Sequence, residues 1–259
     1  LIRSYYYMNK KTDIKTALLD IEIIMYRHAA KAEAEGTSLR TLKSMCVQAI
    51  DNCVLGSKAS EFYLMVSGRA NFRKTLYPEY KAPRAKVRRP ILLTELRQYL
   101  VDEYKAYSRP NLEADDILGI LATHSTLVRA DLRVIVSIDK DFLGVPCALY
   151  RSDGEGVQRI TERDADRWHL IQTLTGDTTD NYPGCPGIGP VRAAVLVDKA
   201  LADADPWQVI VAAFEKEGLT EQDALLQARL ARILRADEYD FKAKRPKLWE
   251  PSRLKHNKK

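Results

Sequence analysis

Eight carboxylates in this chain fall where they could act together. Asp20 closes the short apolar run TALLDI, and Glu113, Asp115 and Asp116 stand in LEADD just after Pro110. Asp139 and Asp141 follow the β-branched run LRVIVSI, and Asp177 and Asp180 precede a loop dense in glycine and proline. Carboxylates gathered at one place resist joint ionisation unless cations neutralise them. Hard divalent ions take oxygen ligands. Two such ions about 4 Å apart would also stabilise the attacking and leaving oxygens of a phosphodiester. Each group has a plainer role available: Glu113, Asp115 and Asp116 could complement a helix dipole, Asp141 could cap a helix, and Asp177 and Asp180 could cap a turn. Asp20 is harder to explain that way, because an acid ending a buried strand needs a partner.

The segment GDTTDNYPGCPGIGPVRAA, Gly176–Ala194, adds a second kind of chemistry. Its loop opens a helix at about Pro190–Arg192, and a helix N-terminus offers unpaired N–H groups and a positive dipole end to a phosphate. The i, i+3 spacing of Asp177 and Asp180 predicts one helical face. The i, i+2 spacing of Asp139 and Asp141 predicts a shared side of extended chain. Charge supports a polyanionic partner. Residues 69–89 hold eight basic side chains and one acid, and residues 242–259 hold the same, so the rest of the chain carries −8 against a total of +6. A basic surface around an acidic centre suits a metal enzyme working on a polyanion; two solvated charge runs are the plainer alternative.

The elements that must position these groups follow from periodicity. Strands are predicted at Thr16–Ile21, Glu61–Val66, Leu132–Ile138, Cys147–Tyr150 and Val157–Ile160. Helices are predicted at Ile24–Glu35, Ser38–Leu55, Leu92–Tyr104 and Glu113–Thr123, which makes the first part an α/β parallel sheet with strand-end sites. After Thr161 the pattern is helical: Arg163–Leu174, Val191–Ala200, Trp207–Glu217 and Glu221–Ala236. The reading is an α/β domain at 1–160 with a loop or arch at 69–89, then a helical domain at 161–259 with a basic tail.

Composition sets the outer limits. With 46% hydrophobic and 29% charged residues the chain reads as globular, and no window reaches a membrane span. LIRSYYYMNKK lacks the apolar centre of a signal peptide, and Met8 is one candidate start, with Leu1–Tyr7 an extension. Four dispersed cysteines and four histidines show no metal spacing, so free thiols in a reducing, cytoplasmic compartment are expected.

In order, LLDIEIIMYR, NFRKTLYPEYKAPR, LEADD, SIDKDF and GDTTDNYPGCPGIGPVRAA cover about two-thirds of the chain, from Ala17 to Ala194. This set resembles the flap endonuclease / 5′-3′ exonuclease family, and within it the phage-encoded exonucleases. The resemblance implies a PIN-like nuclease domain followed by a helix–three-turn–helix domain. It implies two ions, Mg²⁺ or Mn²⁺, on Asp20, Glu113, Asp115, Asp116, Asp139, Asp141, Asp177 and Asp180, and a K⁺ ion in the Gly-rich loop. It implies hydrolysis of DNA from 5′ ends, leaving 5′-phosphate and 3′-hydroxyl, in phage replication, primer removal or host DNA degradation. Lys81 and Arg84 would sit over the scissile phosphate, and Arg73 would share that field or touch backbone. Tyr80 would stack a terminal base, with ordinary packing as its alternative. Gly184, Gly187, Ile188, Gly189 and Arg192 would approach the duplex backbone. Implied partners are duplex DNA with 5′ ends, nicks, gaps or flaps, and RNA–DNA hybrid, bound by a monomer in the host cytoplasm without membrane contact.

One position departs from the family pattern. The second strand reads LMVSG, with Ser67 where many members have aspartate. A hydroxyl replaces a carboxylate poorly at a metal, so either more water fills one site or strand register brings another group there. A DNA-structure binder without chemistry, or a PIN-type ribonuclease, are the competing readings. Binding without product under Mg²⁺ would mark the first, and preference for RNA the second.

Overall fold

β1 (Lys15–Asp20) is buried from Thr16 onward because it lies inside a sheet covered on both faces. The structure is a computed structural model that describes residues 15–128, 132–152, 156–203, 205–252 and 254. The sheet runs β2-β1-β3-β4-β5, with β2 (Glu61–Met65), β3 (Leu132–Val136) and β4 (Ala148–Arg151) parallel to one another and to β1. Pleating sends alternate residues to opposite faces. Ala17, Leu19, Leu64, Val134 and Val136 pack under α1 (Glu22–Ala34), α2 (Leu39–Ser57) and α4 (Leu93–Tyr104), against Met25, Leu42, Ile50 and Leu96. Leu18, Met65, Ile135 and Leu149 pack on the other face with Ile117 and Leu118 of α5 (Ala114–Thr123) and with Phe142. The short final strand β5 (Gly156–Arg159) is antiparallel to β4, so the sheet is not wholly parallel as expected.

Helix starts follow sequence signals. Ser38 Oγ accepts the Thr41 amide at 3.2 Å to open α2. Thr161 and Asp164 form a capping box at α6 (Glu162–Thr175), and Thr220 and Asp223 form another at α9 (Glu221–Ala231). With α7 (Pro190–Asp203) and α8 (Pro206–Lys216) these helices enclose a core of Leu170, Leu174, Val197, Phe214 and Ala228.

Two expectations are corrected. The stretch 69–89 is no free loop: it contains α3 (Arg73–Leu76) and a 3₁₀ turn at Ala82–Lys86, and it buries Arg73 and Tyr80. The last helix stops at Ala231 instead of Ala236. The chain then crosses to the first unit, where Ile233, Leu234 and Tyr239 join the core of the sheet domain. There α5 and the crossing strap nearly touch, since a Cβ on Gly119 would lie 2.4 Å from the Leu234 carbonyl oxygen. Residues 1–160 and 161–259 are therefore successive in chain order but interlocked in packing.

The basic tail is also not a plain polycation. Past the small hairpin of β6 (Tyr239–Asp240) and β7 (Arg245–Pro246), Trp249 is 2% exposed. Its ring meets His169 and Trp207 edge-on, with centroids at 4.9 and 5.3 Å, and Arg229 Nε donates to its carbonyl at 3.2 Å. Residues 255–259 lie outside the described set. Removing everything after Tyr239 would thus unseat a core residue as well as charge. Trp249→Ala should lower stability by about 3–5 kcal/mol, read as a shifted urea midpoint; an unchanged midpoint would show that the tail is not part of the core.

Candidate active site

Sheet register brings the first acids together. Asp20 pairs across from Met65, and Leu19 from Val136, so the residues following β2 and β3 flank Asp20 at one sheet edge. Ser137 Oγ donates to Asp20 Oδ2 at 3.2 Å, and the Glu22 amide donates to Oδ1 at 3.1 Å. Ser137 Oγ also accepts the Asp139 amide at 3.1 Å. Asp139 Oδ1 accepts the Asp141 amide at 2.9 Å, capping a 3₁₀ turn at Lys140–Gly144. The pair is therefore linked through a turn, not aligned by extended chain. Asp141 is steadied by Gln172 Nε2 at 2.7 Å.

At the start of α5 the three acids divide. Asp116 is fully buried. Both its oxygens accept from Arg73 at 2.8 Å, and it also takes the amides of Glu113 and Leu234, each at 3.2 Å. Arg73, 2% exposed, additionally donates to Glu113 and to the carbonyls of Leu230 and Arg232. Neither group is left to meet a metal or a DNA backbone: Asp116 and Arg73 hold the site's frame. Glu113 accepts from Arg73, Lys81 and the Tyr80 hydroxyl. Asp115 has no cation within ion-pair distance among the described residues.

Asp177 and Asp180 lie on a turn, not on the helical face predicted for them. Asp177 Oδ1 accepts the amides of Thr179 and Asp180 at 2.7 and 3.1 Å, while Lys140 approaches Oδ2 at 3.6 Å. Asp180 is met by Tyr80 at 2.8 Å, Lys81 at 3.3 Å and Arg84 at 2.5 Å. Its carbonyl accepts the Lys81 amide at 2.8 Å, tying the arch base to the loop.

Tyr80 therefore does not stack a base. It is buried beside Tyr182 and Leu230, and its hydroxyl is committed to two acids. The packing alternative holds. Gly184 is likewise internal: its amide donates to Gln227 at 2.9 Å, and at φ +67° a Cβ would lie 2.3 Å from the Gly176 nitrogen. Ile188 faces the helical core. Gly187, Gly189 and Arg192 are exposed at the start of α7, with Arg192 Nη1 on the Gly187 carbonyl at 3.2 Å. These remain the surface suited to a backbone.

Electrostatics sorts the acids into two sets. Burial would raise Glu113, but Lys81 and Arg73 hold it down at about 2. Asp20 is raised to about 7 by burial and then by Glu22. Asp141 is raised to about 7 by burial and then by Asp139 and Asp177. Asp115 is pushed well above the carboxylate range by burial and then by Asp20. Asp20, Asp115 and Asp141 are thus crowded carboxyl groups with no cation at ion-pair distance among the described residues, an oxygen-only donor set that fits hard divalent ions. Among the described residues no three acids, histidines or cysteines close around one ion by themselves. Water must complete any coordination shell, as it commonly does for Mg²⁺.

The sequence reading missed Glu22, Ser137, Gln172 and Tyr182. Ser137 sits inside the quoted SIDKDF and could have been found as the hydroxyl one strand from Asp20. The other three depend on tertiary contacts.

The sign of the pH dependence follows from these shifts. Asp20 and Asp141 titrate near 7 in the fold against an ordinary value near 3.8. Their protons favour the fold at low pH, and that contribution is lost as pH rises through 7. A divalent ion must displace the same protons. Mn²⁺ binding should therefore release protons below pH 7 and tighten as pH rises through 7. Calorimetry in buffers of different ionisation enthalpy reads this directly, and a proton-independent binding heat at pH 6 would refute the assignment.

Comparison with known proteins gives the chain a family. Residues 15–162 match the family described as 5′-3′ exonuclease, N-terminal resolvase-like domain. The chain is 33% identical over 219 residues to the exodeoxyribonuclease of Enterobacteria phage T3, covering 73% of this chain and 72% of the relative. It is equally similar, at 33% over 219 residues and 73% of each chain, to the exonuclease of Escherichia phage T7. In fold it is similar to the phage T5 D15 protein co-crystallised with metal ions, with TM-score 0.62, 17% identity and 84% and 88% of the two chains covered. The crowded strand-end acids thus stand in a family matched over the whole sheet domain, and the chain belongs to the 5′-3′ exonuclease family.

Proposed function

We propose that this protein hydrolyses DNA phosphodiesters from 5′ ends and at 5′ flaps, using two Mg²⁺ or Mn²⁺ ions. The observation that carries the proposal is the division of the site into uncompensated acids on one side and acids already paired with Lys81 and Arg84 on the other. Asp20, Asp115, Asp139 and Asp141 would hold the metals, with Asp177 through water. When bound, the ions supply counter-charge and activate water toward phosphorus. The P–O3′ bond breaks; the water oxygen stays on the 5′-phosphate, and a proton ends on the 3′-oxygen.

Lys81 contributes charge. Burial lowers its pKa, but Glu113 and Asp180 raise it more, so it stays protonated at working pH and serves as no base. Its ammonium and the half-exposed Arg84 guanidinium can pass from carboxylate to phosphate as the strand enters, keeping the local charge balanced. Asp116 and Arg73 hold α5 in place. Gly187, Gly189 and Arg192 would grip the unbroken strand at the exposed start of α7.

The substrates proposed are duplex DNA with nicks, gaps or flaps, and RNA–DNA hybrid, taken by a monomer. A K⁺ ion in the Gly184–Gly189 loop is a family trait carried over to this proposal. Phage replication, primer removal or host DNA degradation are the settings that fit such an activity.

Asp115→Ala and Asp139→Ala should each abolish Mg²⁺-dependent release of label from 5′-labelled flapped duplex, while binding in Ca²⁺ survives. Cleavage at the unaltered rate by both variants would overturn the site. Lys81→Ala should reduce kcat by about 100-fold or more, the scale of a lost oxyanion donor, with a smaller loss of duplex affinity. Equal losses of both would make it a backbone contact only.

A further inference from the structure

The β2 end of the site holds Ser67, whose hydroxyl carries no charge. The structure shows what faces it. Glu22, in the first turn of α1, folds its carboxylate back onto this position: Oε1 accepts the Ser67 amide at 2.8 Å and Oε2 accepts the Ser67 hydroxyl at 2.9 Å. The same hydroxyl accepts the Ala114 amide at 3.1 Å, next to Asp115, and the Glu22 amide donates to Asp20. Arg97 Nη2 is nearby but donates to the Ser67 carbonyl at 2.6 Å. No basic side chain lies within ion-pair distance of Glu22 among the described residues. The plainer role for Glu22, complementing the N-terminus of α1, explains its type but not its two-pronged hold on Ser67.

Resting on the metal-dependent reading above, we propose that Glu22 supplies the carboxylate which Ser67 lacks, completing one divalent-ion site from α1 instead of from the end of β2. A carboxylate has about four lone-pair sites, and Ser67 occupies one on each oxygen, so each oxygen keeps another for an ion or its bound water. Ser67 is then a positioning residue. By donating to Glu22 and accepting from α5, it ties the relocated charge to Asp20 on one side and Asp115 on the other. Changing aspartate to serine at this place costs little charge when the neighbouring helix provides it.

The test is Mn²⁺ binding to the full metal-free chain, followed by the electron paramagnetic resonance of free Mn²⁺, with circular dichroism confirming the fold. Glu22→Gln should weaken one Mn²⁺ site by about tenfold or more, the scale of a carboxylate at or just behind a metal, and leave the other unchanged. Ser67→Ala should weaken the same site by a smaller factor, since Glu22 keeps its charge but loses a tether. In the double variant Glu22→Gln, Ser67→Asp the lost affinity should return. Unchanged Mn²⁺ binding in Glu22→Gln, or no recovery in the double variant, overturns the proposal. Absence of Mn²⁺ binding in the unaltered protein would instead sink the metal-dependent reading on which it rests.

Discussion

The arch side of this site hangs on one buried ion pair. The Arg73 guanidinium faces the Asp116 carboxylate with both ends engaged, and the two together also hold the carbonyls of Leu230 and Arg232 and the amide of Leu234. Three separate parts of the chain meet there: the arch base, the acid-bearing helix α5 and the strap after α9. A buried charge with its partner removed costs about 3–5 kcal/mol, so the pair cannot relax by simply opening. It fixes where Glu113 and Asp115 point, and it brings Tyr80, Lys81 and Arg84 down onto Asp180.

From that frame the site's polarity follows. Cations reach the acids on the arch side and leave those on the sheet side bare. A surface with both kinds side by side can take a divalent ion and a phosphate without first separating charge. The protein is thus internally compensated on the arch side, where the nucleic acid is proposed to arrive, and short of cations at the sheet edge, where the ions are proposed to bind.

Much of this was legible in residues. Acids at strand ends, capping boxes and the β-branched runs are local signals; they located the strands and most of the helices, and the structure brings Asp20 and Asp139 to one sheet edge through Ser137. What stayed hidden depended on long-range partners. Arg73 looks like an arch cation until Leu230, 157 positions away, accepts from it. Tyr80 looks like a stacking platform until Glu113 and Asp180 take its hydroxyl. The helical period of QARLARILRADEY continues past Ala231, yet Arg232 must reach Glu238 at 2.9 Å and Arg235 must reach Asp166 at 2.7 Å, and tertiary pairing overrides propensity. Gly184 reads as a DNA-facing loop glycine, but its space is taken by Gly176.

The strap from Arg232 to Tyr239 has a consequence for what counts as a unit here. The match to the N-terminal family domain ends at residue 162, but Ile233, Leu234 and Tyr239 complete the hydrophobic layer beneath α5. Cut at that boundary, the remaining piece would keep every proposed metal-bearing strand end and lose the lid of its own core. The boundary of the matched family domain and the boundary of the packed core thus fall at different places: the sheet domain borrows part of its hydrophobic cover from chain laid down some seventy residues later.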